Sequence, residues 1–191
     1  MERVKQQGHV LQAAIIGLKL LLICAIVAGV VSFVYELTAD VYAQKVEETK
    51  TQAMGKIFGL ESLTREELTA KGVNEKVYKV FDSDKNLIGY CVEVKSAGFG
   101  GDIEMMVGYN DRCEILSIGI ISLSETPGLG SKVSEPSFLS QFNGKADQLE
   151  LGVDVDAISG ATISSTAVTN GVNKASESLQ KVLSENGGAI R

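Results

Sequence analysis

Apolar residues follow three different rhythms along this chain, and each rhythm predicts a different kind of element. Over residues 20–35 no side chain is charged. At a rise of ~1.5 Å per residue this run covers about 24 Å, short of the ~30 Å hydrocarbon core of a bilayer. The helix is therefore expected to reach back through Lys19 to Ala13 and to span the membrane over 13–35. Lys19 then lies at the N-terminal interface, its stem along the helix and its ammonium turned to water. From 40 to 59 the pattern is helical and mixed, with Val46, Ala53, Ile57 and Phe58 among Glu, Lys, Thr and Gln. It reads as a stalk with a solvated charged face. A second short helix is expected at Ser62 or Thr64, where Thr64-x-x-Glu67 has the form of a capping box, with Gly72 closing it.

Beyond Gly72 the rhythm changes to strands. The stretches 77–81, 87–95, 103–109 and 115–123 are rich in β-branched and aromatic residues, separated by Asp-Ser-Asp-Lys-Asn, Gly-rich and Asn-Asp-Arg turns. They predict an antiparallel meander. Residues 129–134 read as an ordered loop, and 136–142 as a short helix with Phe138, Leu139 and Phe142 on one face. In the last helix, over 165–183, Val168, Val172, Ala175, Leu179, Val182 and Leu183 recur at three- and four-residue steps, a face that packs on the sheet. Asn186-Gly187-Gly188 is its stop signal. The expected fold class is α+β, an antiparallel sheet packed with helices on one N-terminal transmembrane helix. The expected organisation is an N-terminus over 1–12, a membrane helix over 13–35, a membrane-proximal helical stalk over 36–71 and a folded domain over 72–191.

Charge sets direction and removes whole classes of function. Arg3 and Lys5 precede the span and Lys19 lies near its start, while Glu36 and Asp40 follow, so the N-terminus is expected in the cytoplasm and the folded domain on the outer face. A cleaved signal peptide is the rival reading, with Val41-Tyr42-Ala43 as a cleavage site. Cys24 follows Leu-Leu-Ile and lacks the small residue that precedes a lipidated Cys. With 18 Lys and Arg against 24 Asp and Glu, the net charge of −6 gives no electrostatic footprint for nucleic acid. The only histidine, His9, precedes the span, so the outer domain can assemble neither a Ser-His-Asp triad nor a His-based metal site. Nucleophile-elbow, dinucleotide and Walker motifs are missing, and Ser178-x-x-Lys181 falls near the end of an amphipathic helix. Cys91 and Cys113 can be a pair or two buried strand thiols.

The richest chemistry is in Asp156-Ala157-Ile158-Ser159-Gly160-Ala161-Thr162, followed by Ile163-Ser164-Ser165. It reads as a tight turn that presents Thr162 ahead of a helix N-terminus. The first helical amides lack intrahelical partners and carry the positive end of the macrodipole, so a phosphate fits there, free or as an ester of the Thr hydroxyl. The plainer alternative is a helix start capped by Ser164 or Ser165.

Asp-x-x-Ser-Gly-Ala-Thr resembles the flavinylation motif of the FMN-binding domain family, in which FMN is joined through its phosphate to the last Thr. Gly98-Phe99-Gly100-Gly101-Asp102-Ile103, the run Glu125-Thr126-Pro127-Gly128-Leu129-Gly130-Ser131-Lys132, and residues 138–142 extend the resemblance in family order. Within the family the chain is most similar to G subunits of Rnf-type membrane complexes, and more distantly to C subunits of Na⁺-translocating NADH:quinone reductases. The resemblance implies covalent FMN on Thr162, with Ser159, Gly160 and Ala161 forming its turn and Ser164 beside the phosphate. It further implies that Glu125, Thr126, Gly128, Leu129 and Gly130 approach the flavin. Pro127 fixes φ, and the two glycines of that loop let a backbone lie close to a flat ring; the bland reading is a connecting turn. Implied partners are the other subunits of the complex and, during maturation, an FAD-using, Mg²⁺-dependent flavin transferase that engages Asp156. The implied role is electron relay between ferredoxin and NAD, coupled to Na⁺ or H⁺ movement across a bacterial or archaeal cytoplasmic membrane. The chain is then a redox subunit, not an independent enzyme. A non-redox adaptor and a stand-alone flavin reductase are the competing classes.

Overall fold

The computed structural model describes residues 2–60, 62–146 and 148–186, without the side chains of 2–14, 39–41 and 43. Gly187 and Gly188 of the expected helix stop lie outside the described residues. The chain divides into two units, one through Glu47 and one from Glu48 onward. Helix α1, Glu2–Phe58, runs through the described residues of the first unit and opens the second. Within the first, Ile15–Thr38 is 24 residues long with a mean hydropathy of 2.6, enough in length and composition to cross a membrane.

The second unit is built on a five-stranded antiparallel meander in the order β1-β2-β3-β4-β5. The strands are β1 Thr64–Leu68, β2 Lys76–Phe81, β3 Leu87–Ala97, β4 Asp102–Tyr109 and β5 Ile115–Leu123. The last four match the β-rich stretches of the sequence. Their turns are closed by side chains: Asp82 Oδ1 accepts the amides of Asp84 and Asn86, and Asn110 Oδ1 accepts those of Arg112 and Glu114.

β1 corrects the expected capping-box helix at Thr64. Thr64 pairs with Phe81 and Leu68 with Val77, so this segment is an edge strand. Leu68 is buried in the core, and the Arg65 guanidinium lies 5.2 Å from the centre of the Tyr78 ring. Strand pairing and those two contacts outweigh a local cap signal, and the charged Arg65, Glu66 and Glu67 suit an exposed sheet edge.

Helices cover both faces of the sheet. After β5 come a 3₁₀ turn, Gly130–Ser134, then α2, Pro136–Leu139, a second 3₁₀ turn, Ser140–Phe142, and α3, Thr162–Glu185. Phe138 and Phe142 pack edge to face, with ring centroids 5.6 Å apart. On one face, Val92, Val94, Ile103, Met105, Val107 and Tyr109 form a core with α3 residues Val168, Val172, Ala175, Leu179 and Val182. The opposite face carries Tyr78, Val80, Cys91 and Met106 against Ala53, Met54 and Ile57 of α1. The C-terminal part of the expected stalk is thus packed on the sheet. Gly119 allows the approach, since a Cβ there would stand 3.2 Å from the Ala53 Cβ. Lys50 adds an ion pair to Glu93 at 2.9 Å.

Burial between sheet and helix makes Cys91 a poor nucleophile: desolvation, helped by the Glu93 charge, pushes its thiol up to about 12. Cys113, in the β4–β5 turn, is also raised by burial but is partly exposed, and both thiols are free. Because the thiolate is the attacking form, an alkylating agent at about pH 8 is expected to label Cys113 of the folded chain well before Cys91. Cys91 should react only in denaturant, and peptide mass spectrometry that finds equal native rates would contradict its seat between the layers.

Candidate functional site

Three segments converge beside the start of α3. They are the turn joining β3 to β4, the loop leaving β5, and the turn that runs into the helix. Together they line a cleft of ≈ 330 Å³ formed by Phe99, Glu125, Thr126, Leu129, Gly130 and residues 160–164. That is within the usual size of a small-ligand pocket, roughly 300–1,000 Å³.

The helix begins earlier than its apolar periodicity indicates. Thr162 is its first residue and Ala161 the residue before it. Gly160 has φ +79°, a left-handed conformation that reverses the chain immediately ahead of the helix. The Ala161 amide donates to Ile158 O, and the first intrahelical bond runs from Ser165 N to Ala161 O. The amides of Thr162, Ile163 and Ser164 therefore precede the hydrogen-bonded ladder and have no backbone acceptor among the described residues. The Thr162 side chain is exposed on the cleft, and its hydroxyl makes no hydrogen bond among the described residues.

The two serines do not cap the helix, which corrects the expectation. Ser165 is fully buried; its Oγ accepts the Ile158 amide and donates to Ala161 O. It ties the presenting turn to itself. Ser164 Oγ donates to Glu125 Oε2 at 3.0 Å. Upstream, Gln141 Oε1 accepts the Asp156 amide at 2.8 Å, which fixes the main chain while leaving Asp156 exposed.

The loop after β5 is held by its own backbone. Thr126 O accepts the amides of Leu129 and Ser131, and the Gly128 amide donates to Ser131 Oγ. Gly128, at φ +74°, makes this turn and does not line the cleft; Ser159 does not line it either. Gly130 is buried, and a Cβ there would come within 2.6 Å of Glu125 Oε2 and 2.9 Å of Ser164 Oγ. Leu129 reaches over the opposite side, near enough that a Cβ on Gly160 would meet its Cδ1 at 3.0 Å.

Two lining residues were not singled out from the sequence, Phe99 and Ile163. They are 68% and 56% exposed, and Leu129 is 43% exposed, so the cleft gathers an exposed apolar rim uncommon on a water-facing domain. The available signal was a Phe flanked by glycines and an Ile directly after the motif threonine.

The residues present fit FMN. Three unpaired helix-start amides and an accessible hydroxyl suit its phosphate, and Phe99, Leu129 and Ile163 offer apolar surface to a flat ring.

The chain is similar to known proteins in sequence and in fold. The FMN-binding domain family matches residues 98–177, which include all three segments of the cleft. The G subunit of the proton-translocating ferredoxin:NAD(+) oxidoreductase complex of Clostridium ljungdahlii is 34% identical, over 82% of this chain and 85% of that protein. The G subunit of the ion-translocating oxidoreductase complex of Methanosarcina acetivorans is 32% identical, over 82% of this chain and 88% of its own. The G subunit of the Na(+)-translocating ferredoxin:NAD(+) oxidoreductase complex of Acetobacterium woodii is 29% identical, covering 87% and 91%. In fold, the chain is similar to the crystal structure of Shewanella oneidensis NqrC, with a TM-score of 0.51 and 24% identity over 66% of this chain and 70% of that one. At 34% and 32% identity to two such subunits over most of its length, and with an FMN-binding domain, this chain belongs to the family of G subunits of ion-translocating oxidoreductase complexes.

Proposed function

We propose that this chain is the flavin-bearing relay subunit of a membrane complex that couples electron transfer between ferredoxin and NAD to translocation of Na⁺ or H⁺, with FMN esterified to Thr162. The observation that carries this reading is the free Thr162 hydroxyl at an open helix start, on the wall of an apolar-rimmed cleft. The related G subunits give the complex its class, since they are named for ferredoxin:NAD(+) oxidoreductases.

FMN, when bound, supplies one- and two-electron redox chemistry. The chain supplies attachment, position and environment. Thr162 Oγ1 would be the attachment oxygen for the FMN phosphate, held at the open start of α3. Esterification is the task of a separate Mg²⁺-dependent transferase, because an unperturbed Thr hydroxyl is a weak nucleophile. The exposed Asp156 and the turn at Ser159, Gly160 and Ala161 offer that transferase a rigid segment. The amides of Thr162, Ile163 and Ser164 are then available to the phosphate, at the positive end of a 24-residue helix. Phe99, Leu129 and Ile163 shield the ring from water. Electron donor and acceptor come from the other subunits.

The apolar helix anchors the chain once in the cytoplasmic membrane. Arg3 and Lys5 ahead of the span, with Lys19 near its start, favour an N-terminus inside and the flavin domain on the outer face.

Co-expressed with a flavin transferase, the wild-type chain is expected to keep one FMN per polypeptide in denaturant, with an intact mass increased by FMN less water. Thr162→Ala should lose the flavin completely, and Thr162→Ser should retain part of it because the oxygen survives. Covalent flavin on Thr162→Ala would move the attachment elsewhere.

Orientation is checked separately. Protease added to intact spheroplasts should remove the domain from Glu48 onward while a cytoplasmic control protein survives. Digestion only after lysis would reverse the topology.

A further inference from the structure

Glu125 has an unusual position for a carboxylate on the wall of a phosphate-accepting cleft. Its Oε1 accepts the Phe99 amide at 2.7 Å and the Gly100 amide at 3.4 Å, and its Oε2 accepts the Ser164 hydroxyl at 3.0 Å. No Lys or Arg pairs with it among the described residues. One side chain therefore joins all three segments of the cleft: the 98–101 turn, its own loop, and the first turn of α3.

The glycines around it form a socket. A Cβ on Gly98 would collide with Glu125 Oε1, and one on Gly130 would stand 2.6 Å from Oε2. A Cβ on Gly100 would strike Ser124 O, and one on Gly101 would stand 3.0 Å from the Ser124 Cβ. The two loops thus approach as closely as their backbones permit, around the carboxylate. Both carboxylate oxygens are already engaged by protein donors, and a direct contact with a phosphate would set like charges together.

We infer that Glu125 is a positioning residue of the flavin site: its carboxylate locks the 98–101 turn and the start of α3 onto the loop that carries Leu129, and so holds the cleft walls at a fixed spacing. The assignment rests on the flavin reading of Thr162. Glu125 makes no hydrogen bond to the Thr162 hydroxyl, whereas Phe99, Leu129 and Ile163, which would surround an attached ring, belong to the three segments that it joins. A carboxylate hydrogen-bonded at both ends also tolerates one neutral replacement. In Glu125→Gln the amide oxygen can accept the Phe99 N–H while the NH₂ group donates to Ser164 Oγ.

The test uses the full-length chain, flavinylated in cells by co-expressed transferase and purified in detergent. Wild type, Glu125→Ala, Glu125→Gln and Ser164→Ala are compared for covalent FMN by intact mass, flavin fluorescence yield, visible circular dichroism and midpoint potential. Glu125→Ala should carry FMN, but with fluorescence raised several-fold, the visible dichroism largely lost and the potential shifted towards that of free FMN. Glu125→Gln should restore all three signals, and Ser164→Ala, which removes one arm of the tie, should fall between. A flavinylated Glu125→Ala with wild-type spectra and potential would overturn the positioning role alone. If Glu125→Ala does not fold, a Ser164→Ala protein identical to wild type in all three signals would equally overturn it. A wild-type chain without covalent flavin would instead overturn the reading of Thr162, and this role with it.

Discussion

The close seating of α3 on the sheet is the constraint on which the site depends. Ala167, Gly171 and Ala175 follow one another at four-residue steps on the buried side of the helix, and a Cβ on Gly171 would come within 2.9 Å of the Met105 Cε. Small residues at that interval let the helix axis approach the strands, and the larger Val168, Val172, Leu179 and Val182 fill the flanks. Each fully buried side chain of that size contributes on the order of 1.5–3 kcal/mol, so the helix has little freedom to slide. Tyr109, buried under it, adds a hydrogen bond to Ser176 at 3.0 Å. With the helix fixed, Thr162 can stand at only one place, beside the exits of β3 and β5.

Electrostatics favours the proposed ester over reversible capture at this location. The chain carries a net charge of −6, and Glu125 stands on the cleft wall, so the field opposes a free dianionic phosphate. The helix start offers partial positive charge from three amides, an effect of typically 0.3–1 kcal/mol at exposed sites. Such a contribution positions a phosphate but does not retain it against dilution. A covalent bond removes the dependence on affinity, and a diester also carries less charge than free FMN.

The sequence foretold those parts of the molecule in which local pattern and tertiary environment agree. Four strands, the Phe138–Phe142 pair and the buried face of α3 all follow from period and composition, because each element shows the core one consistent set of residues. The meeting of residues 125–130 with 160–164 followed from family likeness, since two loops so far apart in the chain carry no periodic signal of contact. β1 was illegible for a physical reason: its Thr and Glu satisfy a helix-cap pattern, and only the open edge of β2 makes a strand the better state. The packing of α1 onto the sheet was hidden in the same way. Ala53, Met54 and Ile57 are too few to distinguish a solvated helix with an apolar stripe from one that covers a second sheet face. Ser164 and Ser165 show the limit of residue-type reasoning, since serines at a helix start are usually caps. Here both are buried, and their hydroxyls serve a loop carboxylate and the presenting turn.

The glycine motifs acquire a different meaning from this geometry. Read as sequence, Gly128 and Gly130 suggest a backbone lowered onto a flat ring. In the structure Gly128 makes a turn away from the cleft wall, while Gly98 and Gly130 clear space for the two ends of the Glu125 carboxylate. The close approach that the glycines permit is between protein segments. On the proposed reading, attachment and tuning fall to different residues: Thr162 and its turn for the presence of a flavin, and the tie between the loops for what surrounds it. The proposed covalent attachment would make that separation possible, because a tethered cofactor need not be gripped to be retained. The walls of the cleft are then free to be set by the requirements of electron transfer.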